Sequence, residues 1–287
     1  MRTRLRLTSL FLFSAFGVSL AHAQEATKPA PAQDGNIVVT GQGPKPIKRA
    51  QRYIRQVLDV DDGQLARFVE PVCPEVIGLP DRFKAPIENR FRIVAGAASV
   101  RLAPETCKSN LMIVFADNAD ALIETMRKRR NPVFANLDEG ALQDAFKAGP
   151  IHAWRLVVTR DEAGNMTNSG TDTDPDNPPV MEGDTQAITI NAVVVMDRKV
   201  ALGKSVRQLA DYVVMRTLVG ARPPAKGSIA APSILSLFDP AVTPVPGEIT
   251  DMDIGLLAGL YKLRNPYEQG GDQAWRISRG MVSGKQR

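Results

Sequence analysis

The sequence predicts an α+β fold, a mixed sheet with packed helices, on three observations. Of 287 residues 44% are hydrophobic and 23% charged, a balance that can fill a core and keep a polar surface. Apolar runs of strand length, Leu111–Phe115, Ala153–Thr159 and Ala187–Met196, alternate with segments of helical periodicity. One of those segments, opened by Ser205 and closed by Gly220 and Pro223-Pro224, has both ends marked.

The chain opens on a leader. Arg2, Arg4 and Arg6 precede the apolar stretch Leu7–Leu20, and Ala21-His22-Ala23 places small residues where a signal peptidase reads. Cleavage is expected after Ala23, which makes the protein periplasmic or secreted. About 14 apolar residues fall short of the ~20 that span a bilayer, and no other stretch comes near, so an integral membrane protein is not expected. Gln24, not Cys, follows the cut, so no lipid anchor is expected either. Without the leader, 33 Lys and Arg face 31 Asp and Glu. So small an excess gives no warrant for a nucleic-acid partner. Export sets how the cysteines read: Cys73 and Cys107 are expected to form a disulfide.

Residues 24–45 are rich in Pro, Gly, Ala and Gln and are expected to be a flexible arm. Within it NIVVTG, residues 36–41, resembles the stretch near the mature N-terminus of outer-membrane receptors coupled to the energy transducer TonB. No barrel pattern follows, so that resemblance implies at most an accessory partner of such a receptor.

Residues 46–287 read as a single domain. Lys45–Val60 is an amphipathic helix with Ile47, Ala50, Ile54, Val57 and Leu58 on one stripe. A second helix is expected over residues 81–99, broken early by Pro86. After the strand at Leu111–Phe115, Asn118 caps a helix with Asp120 in its first turn and Arg127–Arg130 at its end, charges that suit the helix dipole. Residues 160–184 form a long polar excursion. Asp172, Asp174 and Asp176 alternate there as in a calcium loop, but Asn177 and Gly183 replace the Gly and Glu that an EF-hand needs.

The helix after the last strand is the most informative segment. Gly203-Lys204-Ser205 is not a phosphate loop, because Arg198 stands where that motif needs its first Gly. Ser205 with Gln208 instead makes a capping box. Val206, Leu209, Ala210, Val213, Val214 and Thr217 form a core face. Gln208, Asp211, Tyr212, Met215 and Val219 form another that is too apolar for open solvent, so the helix is covered on both sides or lines a groove.

This helix, then Ser233-Ile-Leu-Ser-Leu-Phe238, then Glu248-Ile-Thr-Asp-Met-Asp through Tyr261, resembles the C-terminal half of zincin-type metalloproteases, over about residues 187–265. In those enzymes an H-E-x-x-H helix is followed by a turn resembling S-I-M and a helix that begins L-T-x-x-D and ends L-Y. The region is also similar to exported alphaproteobacterial families of unknown function. Under this alignment Asp211 takes the first histidine's place, Tyr212 the glutamate's and Met215 the second histidine's. A carboxylate and a thioether are ill matched on Zn²⁺, so the resemblance implies a scaffold without metal or other cofactor.

The other catalytic constellations are thin. His152 is the one histidine left after Ala23 and the one candidate base for a metal-independent hydrolase. Carboxylate pairs, Asp251 with Asp253 or Asp61 with Asp62, are the other route. The expected function is binding of a peptide, protein or envelope component through a groove formed by Gln208, Asp211, Tyr212 and Met215.

Overall fold

A computed structural model describes residues 45–60, 63–167 and 185–283. Residues 1–44, which hold the expected leader and arm with the NIVVTG segment, Asp61-Asp62 and the aspartates at 172, 174 and 176 lie outside the described residues.

Helix α1 (Pro46–Val57) buries Ala50, Tyr53, Ile54 and Val57. Strand β1 (Arg67–Phe68) is short, and β2 (Pro74–Ile77) follows it. Helix α2 (Asp81–Ala97) runs straight through Pro86, contrary to the expected break. Proline removes a single bond near the helix start. Burial of Ile87, Phe91, Val94 and Ala95 on the following turns outweighs that loss.

Strand β3 (Leu111–Ala116) leads to α3 (Ala119–Lys128), which Asn118 caps by accepting from the Ala121 amide at 2.8 Å. The cationic run at its end is a solvated face, with Arg127 and Lys128 both on Glu124. Helix α4 (Glu139–Phe146) precedes the long strand β4 (Ile151–Asp161). The start of the polar excursion is a hairpin: Asp161 accepts from the Asn165 amide, and β5 (Met166–Thr167) pairs back on β4. Then come β6 (Thr185–Asp197), the single turn α5 (Arg198–Ala201) and α6 (Val206–Val214), which continues as a π-helical turn, Met215–Val219. A 3₁₀ turn (Ile234–Ser236), α7 (Asp251–Tyr261) and α8 (Gly270–Ser283) complete the described fold.

The sheet is mixed. Its order is β2-β3-β6-β4-β5, with β2, β3 and β6 parallel, β4 antiparallel to β6, and β1 parallel to the first part of β6. Alternation sorts the side chains. Leu111, Ile113, Phe115, Ala192, Val194, Met196 and Ala153 face a large core against α1, α2, α6, α7 and α8. Trp154, Val193 and Val195 face a smaller one with Ala119, Ile123 and Ala145 from α3 and α4. The sheet is therefore sandwiched between helices, and α6 lies in the larger layer.

Cys73 and Cys107 are joined, with Cα atoms 6.0 Å apart. The bond fastens the loop after α2 to the start of β2, where Val72 also exchanges backbone hydrogen bonds with Arg101 and Ala103. No helix among the described residues is long and apolar enough to cross a membrane. Replacing both cysteines by Ala is expected to lower unfolding stability by about 3 kcal/mol, read by urea titration, since the bond closes a loop of 34 residues.

Candidate functional site

Helix α6 begins with the capping box expected: the Ser205 hydroxyl accepts from the Gln208 amide, and the Gln208 side chain accepts from the Ser205 amide. Gln208 also donates to the Pro246 carbonyl at 2.9 Å, tying the helix to the segment before α7. It is half-buried. Asp211, Tyr212 and Met215 are 0, 2 and 0% exposed. The second face is thus covered rather than open, and these three residues are interior, not the lining of a groove. A helix apolar all round has to be covered, and the cover comes from α2 and from the chain before α7, elements remote in sequence.

Asp211 shows how a carboxylate survives there. Arg90 of α2 grips it with two hydrogen bonds, Nε to Oδ1 at 2.7 Å and Nη2 to Oδ2 at 2.8 Å, and the Ile249 amide donates to Oδ2 at 2.7 Å. Glu248 lies 3.2 Å from Arg90 and 3.0 Å from Arg207, so the pair ends in a small surface network. Hydrogen bonding to Asp211 raises the Arg90 pKa, keeping the guanidinium charged. Tyr212 accepts from Arg216 at 3.0 Å and packs edge-on against Phe238, ring centres 4.9 Å apart. These residues do not fit a zinc ion: both Asp211 oxygens are taken, the adjoining charge is a cation, and the neighbours on the face are a phenol and a thioether. No group of three or more His, Cys, Asp or Glu able to hold a metal occurs among the described residues.

A second buried carboxylate organises the next turn. Asp253 caps α7 with Thr250, as expected from the sequence, but it also enters the core at 0% exposure. Its Oδ1 accepts from Tyr53 and Ser233, each at 2.5 Å, and its Oδ2 from the Ile234 and Thr250 amides at 2.8 and 3.0 Å. Helix α1, the 3₁₀ turn and α7 are thereby pinned to one side chain. Burial, then the charge of Asp253, pushes the Tyr53 phenol well above its ordinary pKa of 10.0. Tyr261, at the end of α7, is also raised, chiefly by burial. Asp251 and Asp253 are not a catalytic pair, because one is exposed and the other is sealed in the core.

His152 is 1% exposed, on the sheet face that α4 covers. Its Nδ1 donates to the Ala145 carbonyl at 2.9 Å, and its Nε2 lies 3.3 Å from an Asp120 oxygen. A ring so enclosed holds α4 to β4 and has no route to a substrate.

Three concavities are open among the described residues, one of them, of about 530 Å³, beside Gln51, Arg55 and the start of α8. A broad trough of about 950 Å³ runs between α7 and α8, floored by Gly255, Ala258 and Gly259 and edged by Trp275. A cleft of about 360 Å³ lies between the start of α4, strand β4 and the turn that ends the α6 helix. Gly220 makes that turn with φ +71°, and its missing Cβ leaves the space that the Arg155 guanidinium fills. Arg155 donates to the Ala66 carbonyl at 2.9 Å and to the Thr189 hydroxyl at 3.3 Å, and burial lowers its pKa. Trp154 and Arg216 join it in the wall. Sequence reasoning passed these residues over. The signal available was an arginine two positions from Ala153 in an apolar strand, hence on the same core-facing side.

No family model, no curated protein and no solved structure matches this chain.

Asp211→Ala leaves Arg90 without its main partner and is expected to cost about 3 kcal/mol in urea unfolding, the lower end for a broken buried pair because Arg90 stays 21% exposed and keeps Glu248. The tyrosines give a pH signature. The unfolded chain ionises both phenols from pH 10.0 upward while the fold keeps them protonated. Stability is therefore complete below that pH and falls above it, by up to about 1.4 kcal/mol per pH unit for each residue. Tyr53→Phe and Tyr261→Phe are each expected to flatten that fall in pH-dependent denaturation.

Proposed function

We infer that the protein is exported and non-catalytic, built on a zincin-like scaffold in which an ion pair takes the metal's position, and that it binds a peptide, protein or other envelope component beside that helix. The observation that carries this reading is Asp211. At the position the resemblance gives to the first metal ligand stands a carboxylate already saturated by Arg90 and the Ile249 amide. Bringing a cation to it requires breaking two charge-assisted bonds and expelling a guanidinium, so the helix serves cohesion instead of hydrolysis. The enclosure of His152 weighs against the metal-independent hydrolase, and the disulfide supports export to an oxidising compartment.

With the buried face closed, recognition moves to the flank. The cleft between α4, β4 and the Gly220 turn is the concavity next to α6, and it becomes the proposed binding groove in place of the one expected at Gln208, Asp211, Tyr212 and Met215.

Elemental analysis of protein purified in zinc-supplemented buffer is expected to find no stoichiometric zinc, and a peptide library is expected to survive incubation with it. One zinc per chain together with chelator-sensitive cleavage would overturn the reading. A photoreactive residue at Ala141, on the cleft wall, is expected to crosslink an envelope component in intact cells. Capture that persists in a variant lacking residues 24–45 separates this site from docking on a receptor through residues 36–41.

A further inference from the structure

The trough between α7 and α8 lies apart from the cleft beside the Gly220 turn, and what it can hold does not depend on the role proposed for that cleft. Helix α7 carries no charge between Asp253 and Lys262. Its inner side buries Leu256, Leu257 and Leu260. On its outer side Ile254, Gly255, Ala258 and Gly259 are only partly covered, because α8 reaches one flank, with Met281 against Gly255 and Ile277 against Gly259. A helix apolar all round calls for cover all round. The α6 helix has it, and α7 does not. What stays open is the trough, whose volume of about 950 Å³ falls within the ~300–1,000 Å³ of sites that hold a small molecule.

The two ends of the trough differ in charge. The contacts of Gly255 and Gly259 make α7 and α8 antiparallel, so Lys262, Arg264 and Arg276 stand at one end and Asp251 with Gly280 at the other. Arg276 is held by Glu268 at 2.5 Å, and Arg279 stacks over the half-exposed Trp275 ring, 4.8 Å from its centre. Lys262 and Arg264 are exposed, and their side chains have no ion pair among the described residues. Apolar walls with spare positive charge at a single end suit an amphiphile, its hydrocarbon chain along α7 and its anionic head at Lys262. Helix α7 has 11 residues and is about 16 Å long, which accommodates one alkyl chain of medium length. A protein partner fits less well, since a stable interface takes ~800 Å² on each side, far more than three helical turns present. A second copy fits less well too. Its rim would add the same four cations against the same two carboxylates, Asp251 and Glu268, and two hollows face to face leave a void. We propose that the trough between α7 and α8 binds a free single-chain anionic amphiphile, its carboxylate or phosphate at Lys262 and Arg264 and its alkyl chain over Ala258 toward Gly255.

The test is calorimetric titration of the full chain with laurate below its micelle concentration, with octanoate and with dodecyltrimethylammonium. Laurate is expected to bind at one site per chain. Octanoate is expected to bind about tenfold more weakly or worse, because fewer methylenes leave water. The cationic amphiphile, with the same chain, is expected to lose about tenfold or more through its head charge. Ala258→Trp fills the floor from the outer side of α7 and is expected to abolish binding with an unchanged melting temperature. Because a bulky side chain could disturb the fold, a second variant changes only exposed charges: Lys262→Glu with Arg264→Glu is expected to reverse the preference, so that the cationic amphiphile binds tighter than laurate. Sedimentation with phosphatidylglycerol vesicles and light scattering report the rival occupants, and the protein is expected to stay in the supernatant with a mass that Ala258→Trp leaves unchanged. Failure to bind laurate, equal affinity for the two head charges, or binding indifferent to both variants overturns the proposal. Co-sedimentation abolished by Ala258→Trp would assign the trough to a bilayer surface, and a dimer dissolved by it would assign a second copy; either result overturns the proposal as well.

Discussion

A carboxylate with no exposure, held by a guanidinium from another helix, is the constraint on which the larger half of this fold depends. Asp211 in water would keep its charge at no cost. In the core it costs several kcal/mol unless its oxygens are met, and the fork of Arg90 with the Ile249 amide meets them. The pair sets the distance between α2 and α6 and draws in the chain that leads to α7. A polar bond of this kind is more directional than apolar packing, so it also specifies register: a slip of one residue along α6 would leave two charges unpaired.

Asp253 repeats the device one step further along the chain. Tyr53, Ser233, Ile234 and Thr250 all spend hydrogen bonds on it, and three separate segments converge as a result. Between them the two aspartates close the helical layer against solvent. Closure has a functional consequence, since a helix sealed on both faces can offer a ligand only its end. That end is where the π-helical turn and Gly220 redirect the chain, and where the missing Cβ of Gly220 admits the arginine of β4. The site and the scaffold are in this way two results of the same packing.

What could be seen in the sequence was what is local. Asn118, Ser205 with Gln208 and Thr250 with Asp253 act within three residues of themselves, and each forms the cap its spacing implies. The apolar runs became strands, and two of them are extended at both ends by pairing that a composition window does not see: β4 and β6 match over eleven registered pairs because each supports the other. Pro86 misled because its local penalty is real but smaller than the burial of the turns after it. Arg90 and Tyr53 could not be read at all. Their partners lie 121 and 200 residues away, and nothing in the neighbourhood of a charge or a phenol announces a contact so distant. The same non-locality explains the misplaced groove. Periodicity showed that the second face of α6 was too apolar for water, yet it carried no information on what would cover it.

The most direct measurement is a double-mutant cycle on Arg90 and Asp211, using both single alanine variants and the pair, unfolded in urea with and without zinc. If the ion pair stands where a metal would, the two substitutions should couple by about 2 kcal/mol or more, and zinc should leave all four stabilities unchanged. Coupling near zero, with a wild type stabilised by zinc, would contradict it.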